Sequence, residues 1–188
     1  ICVDQSIQTC FKPIQSIGGK NGWYFGHGIW VIRGLFDSLM GGPGLTRGRL
    51  HPEQLKEGDF VDWWRVEQIK SPQILRLVAE MKVPGRAWLE FELKAVGDTQ
   101  THLFLSAIFD PSGFLGRMYW HALYPVHFFM FSGLLKAIKS KIESAETINK
   151  TDKITQDQQK NIDISGLTLS EEDALKAQIF GCWSIPLG

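Results

Sequence analysis

The sequence lacks the features that identify several large classes of protein. It has no excess of charge, because 20 lysine and arginine side chains balance 20 aspartate and glutamate side chains. Nucleic-acid-binding proteins need a basic excess to displace counterions, so we expect no nucleic-acid partner. The chain contains only 3 cysteines (Cys2, Cys10 and Cys182), with no C-x-x-C spacing. This pattern predicts reduced thiols and a cytoplasmic location rather than a disulfide framework or a zinc site.

A long hydrophobic run is also missing. The most apolar stretch, Trp120–Leu135, contains His121, Pro125 and His127 and is shorter than the roughly 20 apolar residues that a membrane span requires. We predict a buried helix here and no transmembrane span, while peripheral contact with a membrane stays open. Because the chain starts at Ile1 without a basic and apolar leader, we expect no secretory signal and regard it as a natural fragment or a trimmed chain.

Motifs for nucleotides, metals and nucleophilic catalysis are absent from the sequence. Gly42-Pro43-Gly44 followed by Gly48 misses the G-x-G-x-x-G spacing, and no glycine loop is followed by a Walker lysine. The sequence has no G-x-S-x-G elbow, no Tyr-x-x-x-Lys pair and no pair of histidines with metal-ligand spacing. We therefore predict no cofactor or metal in this chain, no catalytic residue and no turnover by the isolated chain.

The middle of the chain shows the alternation that is typical of half-buried strands. From Asp59 onward, apolar residues recur at every second position in four segments separated by turns at Ser71-Pro72, 83–85 and 97–99. The alternation and all three turns are consistent with a four-stranded antiparallel meander that has one apolar face. The cross-strand pairs that it predicts are Ala79 with Leu89, Leu77 with Phe91, Leu93 with Leu103, Leu89 with Ala107, and Glu67 with Arg76.

The flanking segments predict one compact α+β domain over residues 1–142. We expect a first strand over Ile7–Ile17, a helical region over Trp23–Met40 and a long amphipathic helix over Leu115–Ile142 that lies across the apolar face of the sheet. Residues 143–166 are polar and predict a flexible linker, and residues 167–188 predict a tail with a short helix.

The apolar face of the predicted sheet is rich in aromatic residues, and one helix would not cover all of it. We therefore predict a concave site with few polar anchors. His127 is a candidate for the mouth of this pocket, or else a hydrogen-bonded structural histidine. Asp62 or Arg65 would orient a ligand, although the register turns Arg65 away, and Asp62 has the alternative of pairing with an arginine or the backbone. The candidate lining residues are Trp64, Leu77, Ala79, Leu89, Phe91, Leu105, Phe109 and Phe131.

Several runs resemble one known family. The most specific run is 79–91, with the pattern A-E-M-K-x-P-G-R-A-W-L-E-F, and further matches lie at 18–24, 41–49, 58–67 and 111–127. Together they resemble the DUF2867 domain, an uncharacterised group similar to the SRPBCC (START-like, helix-grip) superfamily. The resemblance implies a curved antiparallel sheet around a long C-terminal helix, which enclose an apolar cavity. It also implies a frequent fusion behind a Rossmann domain similar to YbjT-like NAD(P)-binding proteins.

Three functional hypotheses follow. The first is a binding domain for an apolar or amphipathic small molecule, such as a lipid or an aromatic metabolite. The second is the substrate-side half of an NAD(P)-dependent, short-chain-dehydrogenase-like oxidoreductase, with NAD(P) held by an upstream Rossmann domain. The third is a structural or assembly domain. The residues themselves favour the first hypothesis, and the second rests on the family resemblance.

Overall fold

The protein is a six-stranded antiparallel sheet covered by helices, as seen in a computed structural model that describes residues 1–44 and 49–165. The strand order is β1-β6-β5-β4-β3-β2, and every pair of neighbours is antiparallel. The elements in chain order are β1 Cys2–Val3, α1 Ile7–Gln15, α2 His27–Leu39, β2 Phe60–Val61, β3 Trp64–Lys70, β4 Ile74–Ala79, β5 Gly85–Val96, β6 Gln100–Pro111 and α3 Gly113–Ser165. The predicted α+β fold is confirmed, and its arrangement is consistent with a helix-grip-like fold.

The chain divides into two compact units, Ile1–Glu143 and Ser144–Gly188. The first unit holds the entire sheet, α1 and α2. In the second unit, α3 continues to Ser165 and passes through most of the segment predicted as a flexible linker. The predicted tail helix in 167–188 lies outside the described residues. No helix in the described part of the chain combines the length and apolar character needed to cross a membrane.

The predicted meander corresponds to β3–β6, and β1 and β2 extend it at the two edges. Leu93 pairs with Leu103 as predicted, because the short turn after Val96 leaves no other register. Between β4 and β5 the prediction is wrong by two residues, since Leu77 pairs with Leu89 and the loop between these strands is longer than a tight turn. A shift of two residues keeps every side chain on its predicted face.

A bulge in β3 changes one predicted pair without removing its interaction. Gln68, rather than Glu67, lies opposite Arg76, because the register shifts between Val66 and Gln68. The carboxylate of Glu67 still lies 3.0 Å from the Arg76 guanidinium.

The predicted first strand is wrong, because Ile7–Gln15 forms helix α1. Its buried residues Cys10, Phe11 and Ile14 have helical rather than alternating spacing. Ser6 caps the helix by accepting a hydrogen bond from the backbone N–H of Thr9. The apolar stripe of α1 packs against β5 and β6.

The predicted long helix is confirmed, and its buried residues Met130, Leu134, Ile138 and Ile142 recur every four positions. They share one core with α1 and with the inner face of the sheet. This core fills the middle of the sheet and its far end, next to the β5–β6 turn. The first part of α3 and the whole of α2 cover the other end.

Candidate functional site

A cavity of about 230 Å³ lies at the end of the sheet where β3 begins and β6 ends. Its floor comes from the first residue of β3, the β4–β5 loop, the start of β5 and the end of β6. Its walls come from α2 and from about the first five turns of α3. The lining residues used below are Trp30, Arg33, Phe36, Trp63, Trp64, Ala87, Ala107, Phe109, Tyr119, Trp120, His127 and Phe131.

Small residues leave the room for this cavity. Ala87 and Ala107 stand on the inner face of β5 and β6, where the neighbouring inward positions carry Leu89 and Phe109. Gly116 lets the first turn of α3 approach the β4–β5 loop, because a Cβ at this position would lie 2.3 Å from the carbonyl oxygen of Pro84. The helix is therefore fixed at the loop, and the space above the two alanines stays open.

Tryptophan rings form one wall of the cavity. Trp30 of α2 stacks on Trp23 with ring centroids 4.3 Å apart and lies 5.4 Å from Trp63. Trp64 lies 6.2 Å from Trp23. The indole N–H of Trp30 donates to the carbonyl oxygen of Phe25, which fixes the ring at the start of α2. This cluster presents aromatic faces and edges to the cavity.

A second wall is a ladder of rings on β6 and α3. Phe109 stacks on Trp120 at 5.2 Å, Trp120 lies 5.2 Å from His127, and His127 stacks on Phe131 at 5.6 Å. His127 follows Trp120 by seven residues, about two helical turns, and Phe131 follows His127 by four, so one face of α3 carries all three rings. The cavity therefore lies between two aromatic walls.

The surroundings of His127 favour the neutral form of its imidazole. Its burial among rings lowers the pKa of the imidazole, and the positive charge of Arg33 lowers that pKa further. The histidine therefore offers the cavity one N–H donor and one nitrogen acceptor rather than a charge.

Three lining side chains carry a buried nitrogen that has no hydrogen-bond partner in the described part of the chain. They are the indole nitrogens of Trp63 and Trp64 and the Nδ1 atom of His127. An unpaired buried polar atom costs about 1–3 kcal/mol, and native structures contain few of them. Three of them belong to side chains that line one cavity.

Asp62 lies beside the cavity wall rather than on it. Its carboxylate accepts a hydrogen bond of 2.7 Å from the indole N–H of Trp23, and its backbone adopts a positive φ of 57°. Burial raises the pKa of this carboxyl, while the Trp23 hydrogen bond and the charges of His27 and Arg49 act in the opposite direction. Asp62 thus fixes the tryptophan wall. Arg65, the other predicted orienter, points away and pairs with Glu80 at 2.6 Å.

The other predicted site residues divide into three groups. Four of them line the cavity, namely Trp64, Phe109, His127 and Phe131. Leu77, Leu89 and Phe91 are fully buried in the packed core, and Ala79 is partly buried against that core. Leu105 lines a neighbouring groove together with Trp120 and Phe131.

Sequence reasoning missed α2 as a wall and Asp37 as its anchor. Asp37 is completely buried, and its two carboxylate oxygens accept hydrogen bonds from the backbone N–H groups of Gly44 and Lys82 at 2.9 Å and 2.8 Å. These bonds tie the end of α2 to the β4–β5 loop at the mouth of the cavity. The sequence signal for this anchor was an acidic residue, Asp37, shortly before the glycine-rich run 41–44, whose glycines have no side chains to bury.

The residues that the structure describes include no group of three or more histidine, cysteine, aspartate or glutamate side chains placed to hold a metal ion. The polar side chains on the cavity lining include those of Trp63, Trp64, His127, Tyr119 and Arg33.

Replacing His127 by phenylalanine is expected to change the pH dependence of stability. As the pH falls through the ordinary pKa of histidine, about 6.5, the unfolded chain takes up a proton that the folded chain resists. The wild type therefore loses stability over this window, and His127→Phe should lack that part of the loss. Urea denaturation at pH 7.5, 6.5 and 5.5 measures the difference between the two proteins. A difference that stays constant with pH would contradict the effect of burial on His127.

The comparisons with known proteins identify a family. Residues 1–134 match the family described as "Protein of unknown function (DUF2867)". No curated protein matches the chain. Among solved structures, the crystal structure of a conserved protein from Geobacillus kaustophilus is similar, with 16% sequence identity, a TM-score of 0.38, and coverage of 77% of this chain and 93% of that chain. The family match covers more than half of the sequence, and the chain belongs to the DUF2867 family.

Proposed function

We propose that the domain binds a small amphipathic molecule in the cavity between the two aromatic walls. The observation that supports this most directly is the coincidence of an apolar cavity with three unpaired buried nitrogens on its lining. Binding sites for small molecules are typically apolar concavities with a few polar groups that fix orientation. A ligand atom that pairs with one of these nitrogens would satisfy a polar group that has no partner in the described part of the chain.

The volume favours a ligand with one or two rings inside the cavity. A cavity of about 150 Å³ lined by apolar side chains accommodates benzene, and this cavity measures about 230 Å³. An open cleft of about 760 Å³ adjoins it and shares Arg33, Phe36 and Tyr119 as lining residues. A longer ligand would extend its remaining atoms into this cleft.

The polar end of the ligand is expected to be a hydrogen-bond acceptor. Indole nitrogens only donate hydrogen bonds, so Trp63 and Trp64 require an oxygen or another acceptor. The Arg33 guanidinium on the same lining favours an acceptor with negative charge. A carboxylate attached to an aromatic or aliphatic body satisfies both conditions.

A pair of probes tests this assignment. The expected result is that 2-naphthoate quenches the tryptophan fluorescence of the full chain at lower concentration than naphthalene does. Trp64→Phe keeps an aromatic ring at this position but removes the indole N–H donor. It should weaken 2-naphthoate binding about tenfold while leaving naphthalene binding nearly unchanged. Trp88→Phe is the control, because Trp88 alternates with the inward residues Ala87 and Leu89 and its indole N–H already donates to Glu67. Equal effects of the two substitutions would contradict the role of Trp64.

Filling the cavity should abolish binding of both probes. Ala107→Phe places a ring in the space above β6, and Ala95→Phe makes the same change at an exposed position of β5. We expect no detectable binding to Ala107→Phe and wild-type binding to Ala95→Phe, measured by fluorescence titration and by native mass spectrometry. Undiminished binding to Ala107→Phe would show that the probes bind elsewhere.

The finer relationship to the SRPBCC (START-like) superfamily is part of the same proposal. It is supported by the placement of the cavity between an antiparallel sheet and the C-terminal helix. A cytoplasmic location is supported by the free thiols of Cys2 and Cys10. The oxidoreductase and assembly hypotheses stay predictions, which the coding sequence upstream of Ile1 and pull-down experiments would test.

A further inference from the structure

Exposed apolar side chains surround the mouth of the cavity. Phe36, Met40 and Leu115 line the open cleft, yet their side chains are 60%, 63% and 72% exposed. We call the exposed apolar residues of α2, its C-cap and α3 that line the cavity or the cleft the apolar rim; its members are Ile29, Ile32, Phe36, Met40, Leu115 and Val126. A contiguous exposed apolar surface of this kind usually marks an interaction site.

The rim is continuous across two helices and extends along both of them. The cleft is lined by Phe36 of α2 and by Leu115 of α3, so the two helices contribute to one surface. Beyond the rim, α2 ends in the exposed Leu39, and α3 carries the exposed Phe114 and Phe128. The surface thus combines aliphatic and aromatic tips, which is the composition of helices that lie in a membrane interface.

The charges on these helices have one sign. The only acidic residue of α2 is Asp37, which is completely buried, and α3 has no acidic residue before Glu143. The cations in the parts of these helices that carry the rim are Arg33 on α2 and Arg117 near the start of α3, and neither forms an ion pair within the described residues. The surface is therefore complementary to an anionic partner.

We propose that the apolar rim docks on the surface of an anionic lipid bilayer. The apolar side chains of the rim enter the boundary between headgroups and acyl chains, and Arg33 and Arg117 pair with lipid phosphates or carboxylates. Because the rim surrounds the mouth of the cavity, the docked domain has its cavity open toward the bilayer. This inference goes beyond ligand binding, since it concerns the outer surface and holds whichever molecule enters the cavity.

Vesicle flotation with the full chain tests the proposal. We expect binding to vesicles of phosphatidylcholine with 20% phosphatidylserine, and weaker binding to vesicles of phosphatidylcholine alone. The double variant Phe36→Ser with Leu115→Ser should bind at least tenfold more weakly. Phe104→Ser is the matched control, because Phe104 is also exposed, at 41%, but lies on the outer face of β6. That control should bind like the wild type.

The electrostatic contribution is tested at an arginine that does not line the cavity. Arg117→Gln should weaken binding to phosphatidylserine vesicles about fivefold and reduce its salt dependence. Lys12→Gln, an exposed cation on α1, should have no effect. Equal effects of these two substitutions would show that only the overall charge matters, which overturns docking by the rim.

Two further results would also overturn the proposal. One is the absence of binding to both kinds of vesicle. The other is a dimer, seen by analytical ultracentrifugation, that the Phe36→Ser and Leu115→Ser variant dissociates while vesicles do not bind, since the rim would then join two copies. The cavity variant Ala107→Phe separates this proposal from ligand binding, because it should lose 2-naphthoate and still bind vesicles.

Discussion

Replacing Phe91 by alanine is expected to lower the free energy of unfolding by about 3–5 kcal/mol. Phe91 is fully buried near the middle of β5, between Leu75 on β4 and Leu105 on β6. Alanine removes the ring and leaves a hole that core side chains already packed on the sheet cannot fill completely. Urea denaturation followed by tryptophan fluorescence measures the loss.

A control substitution and a binding measurement test whether Phe91 belongs to the core or to the cavity. Phe104→Ala, on the exposed face of β6, should cost less than about 1 kcal/mol. Phe91 was a candidate lining residue from the sequence, but the structure places it in the core. In the folded Phe91→Ala variant, 2-naphthoate should therefore bind within about twofold of the wild type. A large loss of affinity with little loss of stability would instead place Phe91 at the site.

Most of the sheet could be predicted because apolar and polar residues alternate along its strands. Most inward residues of β3–β6 are apolar and many outward residues are charged, so the strand faces follow from the pattern, and the short turn after Val96 fixes the β5–β6 register. The β4–β5 register could not be fixed this way, since a shift of two residues preserves both faces. The two-residue strands β1 and β2 are too short to show any period.

Helix α1 escaped prediction for a different reason. Pro13 within Ile7–Gln15 is unfavourable in a helix interior, and the apolar residues also fit a loose alternation. Tertiary packing decides the outcome, because the helical form buries Cys10, Phe11 and Ile14 together. The cap at Ser6 was the local signal that favoured a helix.

The sequence predicted the chemical character of the candidate site better than its position in the fold. The sequence indicated an aromatic, apolar concavity, and Trp64, Phe109, His127 and Phe131 do line the cavity. Whether the middle of an apolar sheet face is filled or open depends on which helices reach it. Here α1 and the later turns of α3 fill that middle, and α2, whose role the sequence did not show, closes the open end.

The anchoring role of Asp37 leads to the second large effect. Asp37→Ala should lower the free energy of unfolding by about 2–5 kcal/mol, because it leaves the backbone N–H groups of Gly44 and Lys82 without their acceptor. Asp37→Asn should cost nearly as much, since an amide offers one oxygen in place of two and turns a donor toward a donor. The released end of α2 should also weaken 2-naphthoate binding, which fluorescence titration measures.

A hydrogen bond in an exposed turn provides the control for the effect of burial on the Asp37 substitution. Asp59 likewise accepts a hydrogen bond of 2.8 Å from a backbone N–H, that of Lys56, but this bond is exposed to solvent. Water can replace the carboxylate there, so Asp59→Ala should cost less than about 1 kcal/mol and leave 2-naphthoate affinity unchanged. If Asp37→Ala were as mild as Asp59→Ala, α2 would be held by its apolar contacts alone, and the wall of the cavity would not depend on this carboxylate.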